Sequence, residues 1–140
     1  MAIEYDNIIF DEIMETLVSL INDEFDMPVY FNEHKGNQSF LIAPESDNLV
    51  TRMSAGSQRE YNISINYELK FGGEYTKNNL KQVSQVMERL KRLINNNSSS
   101  ANGSKWFNAN ITDIQYVRDE DESNILKAVS TFNCQNTEVF

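Results

Sequence analysis

The sequence predicts an α+β fold, with a mixed or antiparallel sheet of about four to five strands and two amphipathic helices. Three observations carry that reading. From Arg59 to Phe71, the residues Tyr61, Ile63, Ile65, Tyr67, Leu69 and Phe71 alternate with Glu60, Asn62, Ser64, Asn66, Glu68 and Lys70. A period of two is that of a strand with one buried face. Two further segments repeat their apolar residues at spacings of three and four, the period of a helix with one buried stripe. The last third returns to alternation around Ile125 to Cys134.

Taken in order, residues 7–24 form the first helix. Ile9, Ile13, Leu17, Leu20 and Ile21 share its stripe, Phe10, Met14 and Val18 widen it, and Asp6 serves as N-cap. Pro28 stops it. Residues 28–43 read as a short hairpin, Val29-Tyr30-Phe31 against Phe40-Leu41-Ile42, with turn formers from Glu33 to Asn37 between them. Residues 44–58 are polar and read as a long loop. The strand 59–71 follows, at about 3.3 Å per residue some 35 to 40 Å long, and Gly72-Gly73 ends it.

The second helix spans 77–94, on the stripe Leu80, Val83, Met87, Leu90 and Ile94, with Thr76 or Asn78 as cap. Residues 95–104, rich in Asn and Ser, read as a flexible loop too poor in apolar groups to pack. A terminal hairpin, 105–134, turns through the acidic residues 118–124, and 135–140 form a tail. In its last strand Leu126, Ala128, Ser130, Phe132 and Cys134 share one face.

At 140 residues the chain fits one domain, 1–140, able to bury roughly two thirds of its unfolded surface. No basic start precedes an apolar core, and no apolar run approaches the roughly 18 residues of a membrane span. A cytoplasmic protein without membrane contact is expected. Cys134 is the only cysteine, which excludes an intrachain disulfide and a cysteine cluster for zinc. The formal charge of −9 disfavours non-specific binding to nucleic acid or an anionic membrane. All acids from Glu4 to Glu33 precede the first base, Lys35, whereas Lys77, Lys81, Arg89, Lys91 and Arg92 meet only Glu88.

Motifs for chemistry are missing. His34, the sole histidine, sits in a turn, and catalysis there requires a nucleophile and an orienting partner to converge on it. Asp119 to Glu122 lack the alternating ligands and central glycine of a calcium loop. Gly72-Gly73 lacks the lysine and hydroxyl residue of a phosphate loop. The chain therefore reads as no enzyme, with no catalytic, metal-binding or cofactor-binding residues and no cofactor. The competing enzymatic reading rests on a carboxylate such as Glu60 or Glu68.

The order of elements resembles that of bacteriophage tail terminator and tail-completion proteins, which join head to tail. The opening helix around Ile13 to Ile21, the strand Tyr61 to Leu69, the helix Leu80 to Ile94 after a glycine turn, and the strand Ile125 to Cys134 carry this resemblance. It implies one sheet with both helices packed on one face. It also implies a structural virion protein of the tail or neck, assembled in the host cytoplasm, whose partners are its own copies in a hexameric ring, the tail tube and the neck or connector proteins. DNA only passes through the lumen. A different neck, connector or tail-tube subunit, or a small adaptor or inhibitor, is the alternative. The charge asymmetry independently suggests a head-to-tail contact between Glu12 and Glu15 and the basic Arg89, Lys91 and Arg92 of a neighbour. Asp47, Arg52, Arg59, Asp119, Glu120 and Asp121 are the candidate contact residues in loops.

Overall fold

The computed structural model describes residues 2–73, 77–100, 105–118 and 124–139. Two helical stretches and one five-stranded mixed sheet make the α+β fold. The strands are β1 (Val29–Tyr30), β2 (Gln38–Met53), β3 (Gly56–Lys70), β4 (Phe107–Arg118) and β5 (Ile125–Val139), in the sheet order β1-β2-β3-β5-β4. Every neighbouring pair is antiparallel except β1 with β2. The α-helices are α1 (Glu15–Phe25) and α2 (Lys77–Asn96).

A π-helical segment, Ile8–Met14, runs directly into α1. Its wider turn, with the Glu15 N–H bonded to the Phe10 carbonyl five residues back, puts Ile8 in line with Ile13. Ile8, Ile13, Met14, Leu17 and Ile21 are consequently buried, while Ile9 and Leu20 of the expected stripe are only half-buried. The cap is Asn7, not Asp6: its side-chain oxygen accepts the Phe10 N–H at 3.4 Å. Asp26 closes α1 in the left-handed conformation, φ 49°.

The expected hairpin over 28–43 is instead a parallel pair, Val29 beside Phe40 and Tyr30 beside Leu41. Residues 31–37 carry the chain back to its starting side, with Gly36 at φ 77°, so the turn formers serve a return loop. The larger correction concerns 44–58. These residues are no loop: β2 runs through them to Met53, turns at Ser54-Ala55, and returns as β3 from Gly56. Register shifts at Pro44/Ser46 and Leu49/Thr51 break the alternation that would have revealed a strand.

β3 is the centre of the sheet, paired along its length with β2 and β5. Its odd residues from Tyr61 to Leu69 are buried, as are the even residues of β5 from Leu126 to Asn136. One core cluster joins these to Phe40 and Ile42 of β2, to Ile13, Leu17 and Ile21, and to Val83, Met87, Leu90 and Ile94 of α2. Burying each such side chain contributes about 1.5–3 kcal/mol. Leu80, expected in the α2 stripe, is exposed.

Two more expectations change at the chain's end. Strand β5 continues through the expected tail to Val139, paired with Gly56. Of the expected flexible loop, Asn95 and Asn96 belong to α2 and residues 101–104 lie outside the described residues. Asn97 is fixed: its carbonyl accepts the Trp106 indole N–H at 2.7 Å, and its amide donates to the Leu93 carbonyl at 2.8 Å. Fully buried Trp106 meets Phe132 edge-on, with ring centroids 5.2 Å apart. Polar residues pack here by hydrogen bonding around one large aromatic anchor, a possibility that apolar content does not register.

Candidate functional site

Among the described residues, the one cluster with reactive residue types lies where the 31–37 loop crosses the start of β2. His34 Nδ1 is 2.8 Å from Ser39 Oγ and 3.5 Å from Glu68 Oε2. Ser39 and Glu68 are buried. Histidine, hydroxyl and carboxylate are the components of a nucleophilic triad, but the geometry is not that of one. A relay needs the carboxylate on one ring nitrogen and the hydroxyl on the other, and here both share Nδ1. Burial holds the imidazole below its ordinary pKa, against the opposite pull of Glu68, with Lys127 and Lys70 also favouring the neutral ring. The arrangement pins the 31–37 loop to the sheet.

Burial pushes the Cys134 thiol up to about 12, so it carries no thiolate at neutral pH. Glu60 and Glu68, eight residues apart on one strand, stand about 26 Å from each other at 3.3 Å per residue. Paired carboxylates for glycoside cleavage stand within about 10 Å. Among the described residues no group of three or more histidines, cysteines or acids is placed to hold a metal ion. No helix among them is long and apolar enough to cross a membrane.

The surface is the more informative part. Arg89 reaches back within its own chain, its Nε 2.7 Å from Glu24 Oε1, its guanidinium also donating to the Glu24 carbonyl and lying 4.8 Å over the Phe25 ring. Lys91 pairs with Glu88 on the same helix at 2.7 Å. Arg92 has no ion-pair partner among the described residues and lines a shallow groove between α2 and β4 with Asn95, Asn110 and Ile111. The acidic first helix and the basic second one thus meet inside one molecule through Glu24. Glu12 lines a cleft between the N-terminal segment and the end of β5, and Glu15 borders a hollow with Phe10, Val18 and Phe31.

Asp47 and Arg59, expected in loops, lie on β2 and β3 and form a diagonal cross-strand ion pair of 2.6 Å, and Arg52 is exposed near the tip of that hairpin. Asp119, Glu120 and Asp121 lie outside the described residues. Sequence reasoning missed the exposed apolar side chains: Leu49, Val50 and Met53 on the outer half of β2, Tyr116 and Val117 at the end of β4, and the Phe10–Phe31 pair. The β-branched and apolar residues from Leu49 to Met53 were the available signal, masked by the polar composition around them.

On β3 the side chains alternating with the core make a polar ladder, uncharged from Asn62 to Asn66 and flanked by Glu60 and Glu68. Asn62 donates to Ser46 at 2.8 Å and accepts from Asn133 at 2.9 Å, and Gln58 donates to Gln135 at 2.6 Å. Middle positions of this face, including Ser64, Asn66 and Thr131, carry no charge.

No protein-family model and no curated protein sequence matches the chain. Among solved structures, it is similar to a chain of the virion of a native gene transfer agent particle. The superposition has a TM-score of 0.50 at 11% identity and covers 93% of this chain and 92% of that one. The likeness is one of fold, and it runs end to end.

Proposed function

We propose that this chain is a structural, non-catalytic component of a phage-like virion. Within it the chain is a tail terminator or tail-completion subunit, one member of a hexameric ring that caps the tail tube and joins it to the head. The observation that carries the reading is the end-to-end fold likeness to a virion chain, since nearly every residue of both participates. The order of elements that resembles the terminator family supports the finer assignment. The partners are further copies of the chain, the tube, and the neck or connector proteins, and DNA crosses the lumen without being held.

Two features of the molecule suit that role. Net charge −9 and a sheet face that is uncharged from Asn62 to Asn66 and acidic at Glu60 leave little to retain a phosphate backbone. Exposed apolar side chains at the ends of β2 and β4 are what an assembling subunit presents to its neighbours. Mass photometry of the purified protein tests the ring directly. The expected mass is six copies of the 16.2 kDa chain; a single-copy mass at every concentration, with no binding to tail tubes, contradicts it.

A further inference from the structure

The sheet is open at both ends of its strand order. β1 pairs only with Phe40 and Leu41, so among the described residues β2 has no outer neighbour from Ile42 to Met53. At the other end the Ser98 carbonyl accepts the Ala109 N–H at 3.0 Å, and beyond that point β4 has no strand outside it among the described residues. From Asp113 to Arg118, β4 pairs with β5 in unbroken register and contains no proline and no lysine. Such an edge offers a row of backbone donors and acceptors to an incoming strand. Of the usual devices that repel one it carries only the charges of Asp113 and Arg118 at its ends and the register shift before Asp113, while the β2 edge bends at Pro44/Ser46 and Leu49/Thr51. Tyr116, 47% exposed, and Val117 add apolar surface.

Strand direction selects the occupant. The steps β2 to β3, β3 to β5 and β5 to β4 are all antiparallel, so β2 and β4 run in opposite directions. A second copy in the same orientation, displaced along the sheet, therefore sets its β2 antiparallel to the first copy's β4. Without a slide along the strands 113–118 would meet residues 38–43, where β1 already pairs Phe40 and Leu41, so the second copy also steps along the strand axis until 45–53 lies opposite 113–118. Neither copy has to turn over, and each face of the sheet stays on its own side. The order of charges agrees. Along β2 the acids Glu45 and Asp47 precede Arg52, and along β4 Asp113 precedes Arg118. Antiparallel alignment brings the acidic end of each strand to the basic end of the other, whereas parallel alignment sets like against like. Asp47 already holds Arg59, and Glu45 has no ion pair among the described residues. Leu49, 53% exposed, Val50 and Met53 supply the apolar counterpart to Tyr116 and Val117.

We infer that residues 113–118 of β4 add antiparallel to the outer edge of β2, within residues 45–53, of a second copy. The contact is head-to-tail, uses a different surface on each partner, and closes into a ring when the rotation between copies divides the circle. It rests on the ring reading above and names the surface that makes the ring.

The test compares the wild-type protein with a Tyr116→Lys, Val117→Lys double variant, whose changed side chains are exposed and whose fold is checked by circular dichroism. Assembly is followed by mass photometry, and amide hydrogen exchange is followed over both edges. The expected result is at least tenfold weaker assembly of the variant, with slowed exchange at 113–118 and 45–53 in the wild-type assembly relative to the dilute monomer. Variant rings of unchanged stability, with both edges exchanging freely, overturn this contact and leave the ring reading standing. A wild-type protein that never self-associates, or pairs this edge only with a different protein, overturns a second copy as the occupant.

Discussion

Asp26 holds a conformation that suits glycine better. At φ 49° and ψ 47° it ends α1 in the left-handed region, where a Cβ costs energy and glycine does not. Asp26→Gly is expected to stabilise the protein by about 0.5–1 kcal/mol, read as a rise of a few degrees in thermal midpoint. Gly56 is the reverse case. A Cβ there would run into the Glu138 carbonyl of β5, whose backbone cannot move without breaking the ladder at Val139. Gly56→Ala should cost about 1–3 kcal/mol in a urea titration, with the loss centred on the hairpin tip. His34 gives a pH signature. Its folded pKa is lowered, chiefly by burial, so below about pH 6.5 the unfolded chain takes up a proton that the folded one refuses. Stability should be full above that value, decline as pH falls through it, and level off below the folded pKa. His34→Gln should flatten that decline in melting curves recorded from pH 8 to pH 5, and an unchanged slope would assign it to other groups.

At the scale of elements, what the sequence disclosed depended on whether local period and tertiary environment agreed. β3 alternates cleanly because β2 and β5 flank it and one of its faces belongs to the core. α2 shows its stripe because Val83, Met87, Leu90 and Ile94 all reach one cluster. The outer half of β2 was illegible for the converse reason. Two register shifts break its period, and residues 47–53 are exposed, so no pattern of burial was written into them. The parallel pairing of β1 was equally hidden, since two residues carry no directional signal and the return loop uses the same Gly and Asn as a tight turn. Trp106 shows how a polar stretch gains order from outside itself. Trp106→Phe removes the indole donor from the Asn97 carbonyl while keeping most of the ring contact with Phe132. The expected cost is about 1–3 kcal/mol, with faster amide exchange at residues 97–100 than at the centre of α2; equal exchange at both would show that the bond orders nothing.

For the molecule as a whole, the candidate interface was only partly readable, because an interface is shared with a surface that one chain does not contain. Charge asymmetry pointed to Arg89, Lys91 and Arg92, and the fold divides their roles. Arg89 is occupied by Glu24 and Phe25 within the chain, and Lys91 by Glu88, which leaves Arg92 open beside β4. Arg92→Glu should therefore weaken assembly at low salt, an effect that fades at high salt as screening takes over. Arg89→Glu should instead lower the thermal midpoint by setting two carboxylates together. Equal effects of both variants on assembly would mean that the Glu24 contact opens when the subunits meet. The free edges of β2 and β4 were beyond sequence reading altogether, since whether a strand is an edge depends on the order β1-β2-β3-β5-β4, to which no single segment testifies.

The central claim is that this chain is a ring-forming virion subunit, and electron microscopy of the purified protein tests it most directly. Class averages should show closed six-fold rings with a central opening wide enough for a DNA duplex. Compact particles of one or two copies without an opening, at concentrations where the mass has stopped changing, would contradict it.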